Sequence, residues 1–338
     1  MNRRSILALA ATAPFLKPTL LGAQPAAPTT IPSLLDDAAR LEPLRTALVL
    51  QDGETVSERG YRGNAPDRPT NIKSASKSIL SAMVGIAIDK GLLEGPDQKI
   101  APLLRRELPA DPDPRMNEVT IGHLLSMQAG LARTSGPNYG RWVSSRDWVR
   151  AALAMPFEDE PGGAMLYSTG SSHLLSAILT RVGGKPTLAL ARDWFAPVEG
   201  FRIAAWDRDP QGIYLGGNQM AMSPRSLAAF GELYRNEGRT PAGQQVVPAA
   251  WVAASWRQRT NSRFNGDGYG YGWFLRELGG RPVVYAWGYG GQMLYIAPSL
   301  RLTIVMTSAE DNPSARTGYR DELHALAAGI IVAAGTLG

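Results

Sequence analysis

Apolar positions along the chain change their spacing in a way that predicts its elements. Ala47-Leu48-Val49-Leu50 and the segment Thr55 to Tyr61 flank Asp52-Gly53, the dipeptide of a tight hairpin turn. From Asn71 to Lys90, Ile79, Leu80, Met83, Val84, Ile86, Ala87 and Ile88 leave little polar face, so this stretch predicts a helix buried on most sides, stopped at Gly91. Residues 95 to 165 mix short helical pieces, Ile121 to Met127 and Arg146 to Ala154, with loops rich in Pro, Asp and Gly. A second helix is expected from about Ser172 to Val182, ended by Gly183-Gly184, and another over Pro224 to Tyr234. Four apolar or alternating runs then crowd together: Tyr269 to Leu278, Pro282 to Trp287, Gln292 to Ala297 and Leu302 to Thr307. Glycine-rich turns separate them, which predicts an antiparallel meander. A closing helix is expected from about Ser314 to Ala334.

Strands and helices that cluster apart, rather than alternate, indicate the α+β class. The expected architecture is a sheet of about five antiparallel strands flanked by the terminal helices. A mostly helical subdomain, about 92–230, is inserted into one large domain, 24–338. With 338 residues, 44% hydrophobic and 19% charged, the chain has ample material for such a core.

The formal charge of +5 changes the picture little, because Arg3, Arg4 and Lys17 of the amino terminus carry three of those charges. The remaining arginines are scattered and not interleaved with aromatics, so nucleic acid is not an expected partner. Asn2-Arg3-Arg4-Ser5-Ile6-Leu7, an apolar stretch to Leu21 and the small residues before Gln24 read as a twin-arginine signal, 1–23. That predicts a periplasmic or secreted protein, with a Pro-rich tether from Gln24 to Pro32. Pro14, Lys17 and Pro18 interrupt the stretch too early for a transmembrane anchor. There is no cysteine, which excludes disulfides, thiolate catalysis and cysteine-ligated metals.

Three segments are candidates for chemistry. Ser74-Ala75-Ser76-Lys77 opens the buried helix, and three residues of spacing put hydroxyl and amine on one face. A serine hydroxyl needs a neighbouring base to become a nucleophile, and a lysine serves if burial lowers its pKa. The spacing alone is a weak signal; a lysine at the head of a near-continuous apolar helix is a stronger one. Tyr167-Ser168-Thr169 precedes the second helix. A tyrosine beside an ammonium is expected to hold a lowered pKa and pass a proton between nucleophile and leaving group; the plainer alternative is a half-buried tyrosine where a helix begins. Ala286-Trp287-Gly288-Tyr289-Gly290-Gly291-Gln292 lies between two predicted strands, where glycines allow a substrate close to a strand edge. It is also simply a hairpin turn, and no helix follows to make it a dinucleotide loop.

In this order and roughly this spacing, the three segments resemble the serine β-lactamase and penicillin-binding superfamily. The class C-like branch, with its family VIII carboxylesterases, D-alanyl-D-alanine peptidases and 6-aminohexanoate-dimer hydrolases, is the most similar. Ser74 and Lys77 match the Ser-x-x-Lys motif, Tyr167 the tyrosine of Tyr-x-Asn, and Ala286-Trp287-Gly288 the Lys-Thr-Gly segment. Ile121 to Met127, Tyr167 to Leu179 and Tyr269 to Trp273 fit the same branch, and Gly288 to Gln292 looks most like the 6-aminohexanoate-dimer hydrolases. The resemblance implies acyl transfer through Ser74, with Lys77 and Tyr167 handling its proton and the N–H groups of Ser74 and Tyr289 as oxyanion donors. Trp287, Gly288, Thr169, Gly290 and Gly291 complete the implied substrate-binding set. No cofactor or metal is implied.

Two departures bear on substrate. Thr169 stands where an asparagine would bind a substrate amide, and Ala286-Trp287 replaces the polar or cationic pair that meets a penicillin carboxylate. Losing that charge-assisted bond costs on the order of 1.5–3 kcal/mol. A carboxylesterase or small amidase acting on a small molecule is therefore expected ahead of a β-lactamase or cell-wall peptidase; an acylated sensor that never turns over is a third possibility. His123, His173 and His324 show no His-Glu-x-x-His spacing and read as core or surface residues. Of Trp251, Trp256, Trp273 and Trp287, only the last has a position that suggests the site.

Overall fold

The computed structural model describes residues 30–336. The expected signal, 1–23, and most of the expected tether lie outside them. Ile31 and Pro32, the two residues expected to end the tether and first in the described chain after Thr30, open a helix instead, Ile31–Asp37, whose first turn is capped by Thr30 accepting the Ser33 N–H.

The chain builds one large sheet from β1 (Leu44–Gln51), β2 (Glu54–Gly60), β6 (Thr260–Asn261), β7 (Gly268–Tyr269), β8 (Phe274–Leu278), β9 (Arg281–Gly288), β10 (Gln292–Ala297) and β11 (Leu302–Ser308). Their order is β2-β1-β11-β10-β9-β8-β7-β6, antiparallel throughout. The β1–β2 turn is the expected one, with Asp52 and Gly53 both at positive φ.

The expectation of about five strands was too low. β6 and β7 are two-residue pieces, too short for any alternation to reveal. The run Tyr269 to Leu278, expected as one strand, is cut by a bend at Gly270-Tyr271-Gly272. Gly272 has φ +80°, and a Cβ there would fall 2.9 Å from the Lys77 carbonyl oxygen. The bend exists to meet a helix. A second small sheet, of β3 (Thr70–Asn71), β5 (Met220–Met222) and β4 (Ala205–Trp206), was not expected at all.

Both faces of the large sheet are covered, which explains why its central strands read as continuous apolar runs. Side chains alternate between two cores. Ala47, Val49, Tyr285, Met293, Tyr295, Ile304 and Met306 face the terminal helix Tyr319–Gly335 and the first helix, where Leu323, Ala327, Ile330, Ile31 and Leu35 await them. Leu48, Val284, Ala286, Leu294, Ile296 and Val305 face the opposite layer, built on the helices Ser76–Asp89 and Pro224–Arg235. The helix Ser76–Asp89 is buried from Ser76 to Ala87 without interruption, as its composition predicts. Against it pack the helix Thr169–Gly183 and Ala249–Ser255. No helix among the described residues is long and apolar enough to cross a membrane.

Gly85 lets Trp251 lie directly on this buried helix; a Cβ at that position would sit 2.3 Å from the indole. Gly85→Val therefore overpacks the layer that carries the candidate nucleophile. The expected cost is about 1–3 kcal/mol, read as a lower urea midpoint at unchanged slope.

Candidate active site

Ser74 does not sit in the long helix itself but in the 3-10 turn Lys73–Ala75 that leads into it. Lys73 enters that turn at φ +50°, a left-handed conformation costing a non-glycine residue about 1–3 kcal/mol. Local partners hold it there. The Lys73 N–H donates to Asn71 Oδ1 at 2.9 Å, Ser76 Oγ donates to the Lys73 carbonyl at 2.7 Å, and the Lys73 ammonium pairs with Glu310 at 2.7 Å. Gln219 accepts from both Lys73 Nζ and Asn71 Nδ2, and it too has positive φ. The nucleophile candidate is thus presented on a strained turn held by its own neighbours Asn71 and Ser76 and pinned by two distant segments, at Gln219 and Glu310.

One helical turn later, Lys77 Nζ lies 3.0 Å from Ser74 Oγ, 2.6 Å from the Gly217 carbonyl and 3.5 Å from Thr169 Oγ1. The side chain is almost wholly enclosed, with 4% of its surface exposed. Loss of hydration lowers its pKa from 10.5 to about 7. A neutral amine has two N–H donors and one lone pair. Gly217 and Thr169 accept the donors, which leaves the lone pair for the Ser74 hydroxyl.

Tyr167 is half-buried, its ring centroid 5.0 Å from Lys77 Nζ. Its phenol is not lowered, as the sequence suggested, but pushed up to about 12. Burial is the main cause, offset in part by contact with Ser74. The expected lowering assumed a permanent ammonium next to the phenol, whereas the same apolar enclosure drives both partners toward neutrality. Tyr269 and Phe274 box the ring from the sheet side, at 6.3 and 6.4 Å, and Phe264 closes it from a loop at 6.0 Å.

The structure puts Thr169 at the start of its helix, buried, with its N–H donating to Ser135 Oγ at 2.8 Å and its hydroxyl 3.0 Å from the same atom. It braces Lys77 from behind. Gly288, at the end of β9, lies so close to the Ile72 backbone that a Cβ would be 2.2 Å from its carbonyl oxygen. Only glycine permits that approach, which sets the following residue, Tyr289, beside the Ser74 turn. Among the described residues, neither the Ser74 nor the Tyr289 N–H has a backbone partner. Gly290 and Gly291, at φ +85° and +106°, fold the turn back against Ala309 and against Tyr319 and Leu323 of the terminal helix. Gln292 fastens it through bonds with Ser308 at 2.8 and 3.1 Å. Trp287 is half-buried, its N–H donated to Ser314 Oγ and its ring under the Arg320 guanidinium at 5.1 Å.

Sequence reasoning missed Gly217, Gln219, Lys73 and Ser135. The Gly216-Gly217 pair and Lys73, next to Ser74 in the chain, are the visible signals; Gln219 and Ser135 reach the site only through long-range packing. Among the described residues none of the three histidines hydrogen-bonds to Ser74, Lys77 or Tyr167: His123 accepts the Thr120 N–H, His173 pairs with Asp209, and His324 meets the Tyr295 hydroxyl.

A strained serine turn, an enclosed lysine and a tyrosine between an antiparallel sheet and a helical layer define a serine hydrolase with the β-lactamase/transpeptidase-like α+β fold. The chain belongs to the Beta-lactamase family, whose model matches residues 39–329. It is 26% identical over 312 residues to the 6-aminohexanoate-dimer hydrolase of Paenarthrobacter ureafaciens, covering 84% of this chain and 76% of that one. Among solved structures it is similar to EstCE1, a hydrolase with promiscuous acyltransferase activity, with TM-score 0.71 at 18% identity, covering 89% of this chain and 97% of that one. It is also similar to the octameric penicillin-binding protein homologue of Pyrococcus abyssi, with TM-score 0.70 at 17% identity over 89% and 76% of the two chains.

Lys77 is expected to titrate near 7, with ammonium below and amine above, in NMR of lysine-labelled protein; Lys77→Met removes that resonance. Between about 7 and 10.5 the unfolded chain binds a proton there that the folded chain does not. This group's contribution to stability therefore grows as pH rises across that window.

Proposed function

We propose that the protein hydrolyses a small ester or amide through an acyl-enzyme on Ser74, with Lys77 as base and Tyr167 as proton carrier. The observation that carries this reading is the 3.0 Å contact between Ser74 Oγ and an amine whose remaining partners are a carbonyl and a hydroxyl. As Ser74 Oγ bonds to the substrate carbonyl carbon, its proton passes to Lys77, and the carbonyl oxygen becomes an oxyanion facing the N–H groups of Ser74 and Tyr289. The bond to the leaving group then breaks, and Tyr167 relays the proton from Lys77 to the departing alkoxide or amine. Water repeats the sequence on the acyl-enzyme and releases the acid.

The lining supports an apolar, uncharged reacting end. Ala286 and Trp287 occupy the position of a cationic pair, and the indole N–H of Trp287 is already engaged by Ser314. Tyr289 and Phe264 are aromatic yet 48% and 49% exposed. These features favour a carboxylesterase or small amidase over a β-lactamase. Beside Tyr167 lies a separate cavity of about 170 Å³ whose lining is mixed, Arg133, Glu158 and Arg263 being charged and Met165, Leu166 and Phe264 apolar. The similarity to a 6-aminohexanoate-dimer hydrolase supports a linear amide as the natural class.

The test is hydrolysis of short-chain p-nitrophenyl esters, nitrocefin and a linear aminohexanoate dimer, each with Ser74→Ala beside the wild type. Turnover of an ester or of the dimer, reduced about 10³-fold or more in the variant, is expected. Equal activity in both proteins would remove Ser74 from the mechanism. Silence on every substrate, with a stable acyl adduct, would favour the sensor.

A further inference from the structure

His173 and Asp209 form an ion-pair geometry with both side chains fully enclosed, and the mechanism above does not use either. His173 Nε2 lies 3.0 Å from Asp209 Oδ2. The other carboxylate oxygen, Oδ1, accepts the N–H groups of Gln211 and Ile213 at 2.9 and 2.8 Å. The second ring nitrogen, His173 Nδ1, accepts the Gly216 N–H at 3.4 Å. Trp142 and Trp148 pack edge-on against the imidazole at 5.6 and 5.7 Å and exclude water. Every polar atom of the pair therefore has one available role. The carboxylate accepts, so Nε2 carries the proton and Nδ1 must be an acceptor.

What this fixes is the next residue. Gly216 is pressed onto the helix Thr169–Gly183, where a Cβ would fall 2.2 Å from the Ser172 carbonyl oxygen. Gly217, at φ +77°, lies against the stem of Lys77, where a Cβ would fall 2.6 Å from Cγ. Its carbonyl receives Lys77 Nζ at 2.6 Å. The Gly216-Gly217 loop is thus both a wall and a hydrogen-bond partner of the lysine.

The geometry points to His173 and Asp209 as positioning residues for Lys77: the carboxylate sets the imidazole tautomer, the imidazole holds the Gly216 N–H, and the loop so held keeps the Gly217 carbonyl on the amine. This rests on Lys77 being the base. The groups that face the amine directly are the Ser74 hydroxyl from its own turn, the Tyr167 phenol from the segment before the next helix, and the Thr169 hydroxyl from that helix's first residue. Asp209 reaches it only through His173 and the loop.

Asp209→Asn is the sharp test because it changes almost no volume. Two backbone N–H groups keep the Oδ1 position an acceptor, so the new NH₂ faces His173 Nε2. The imidazole must then carry its proton on Nδ1, where it opposes the Gly216 N–H, donor against donor. The loop is expected to lift and admit water to Lys77. In the acylation rate for a small p-nitrophenyl ester, measured against pH, the apparent pKa should rise by about one unit. The rate at pH 7 should fall about five- to tenfold and largely return by pH 9, at unchanged KM. His173→Leu should give the same displaced profile, and His173→Asn, whose side-chain oxygen can replace Nδ1 as acceptor, should move it back. A uniform loss at every pH in Asp209→Asn, or a profile identical to wild type, would overturn the inference alone. Should Asp209→Asn not fold, coincident profiles for His173→Leu and His173→Asn would overturn it equally. A Lys77→Met variant that kept its rate would instead remove the base reading on which it stands.

Discussion

Everything in this site follows from taking one lysine out of water. A charged ammonium in an apolar interior is too costly to persist, so the group yields its proton instead. At neutral pH Lys77 is therefore an amine for a large share of the time, which an exposed lysine is not. The same enclosure keeps Tyr167 protonated. A basic amine and an undissociated phenol around one serine hydroxyl are the groups that the proposed proton path uses.

The fold supplies that enclosure through close backbone approaches. The helix carrying Lys77 is covered on all sides, by β9 of the sheet and by the helices Thr169–Gly183 and Ala249–Ser255. Where side chains would hold elements apart, glycine removes the spacer: Gly272 against the Lys77 carbonyl, Gly217 against its stem, Gly288 against Ile72. Strain is stored at the same places. Lys73, Met127 and Gln219 are non-glycine residues with positive φ, and the hydrogen bonds of Lys73 and Gln219 lead to the Ser74 turn, while the Met127 carbonyl accepts the N–H of Leu166, next to Tyr167. Such conformations persist only where surrounding bonds over-determine them.

Much of this was legible in the sequence, for identifiable reasons. The helix after Ser74 declared itself by having no polar face, and β9, β10 and β11 by apolar runs matching strands covered on both sides. Lys77 stood out as a lysine at the head of an apolar helix, whereas Ser74 and Tyr167 were singled out through the order and spacing of segments that resemble the superfamily's motifs. The short strands β6 and β7 were invisible because two residues carry no period. The raised phenol of Tyr167 was misread because its sign depends on the hydration of a neighbour. Gly217, His173 and Asp209 contribute through contacts across 36 to 140 residues of chain, and no local pattern reports those.

The account stands or falls on whether an uncharged Lys77 activates Ser74. Rapid acid quench of the enzyme with a p-nitrophenyl ester, followed by peptide mapping, measures that step directly. The acyl group should appear on the peptide bearing Ser74, form faster at pH 8 than at pH 6, and be undetectable on the same timescale in Lys77→Met. An acyl group on another residue, or one formed as quickly without the lysine, would contradict it.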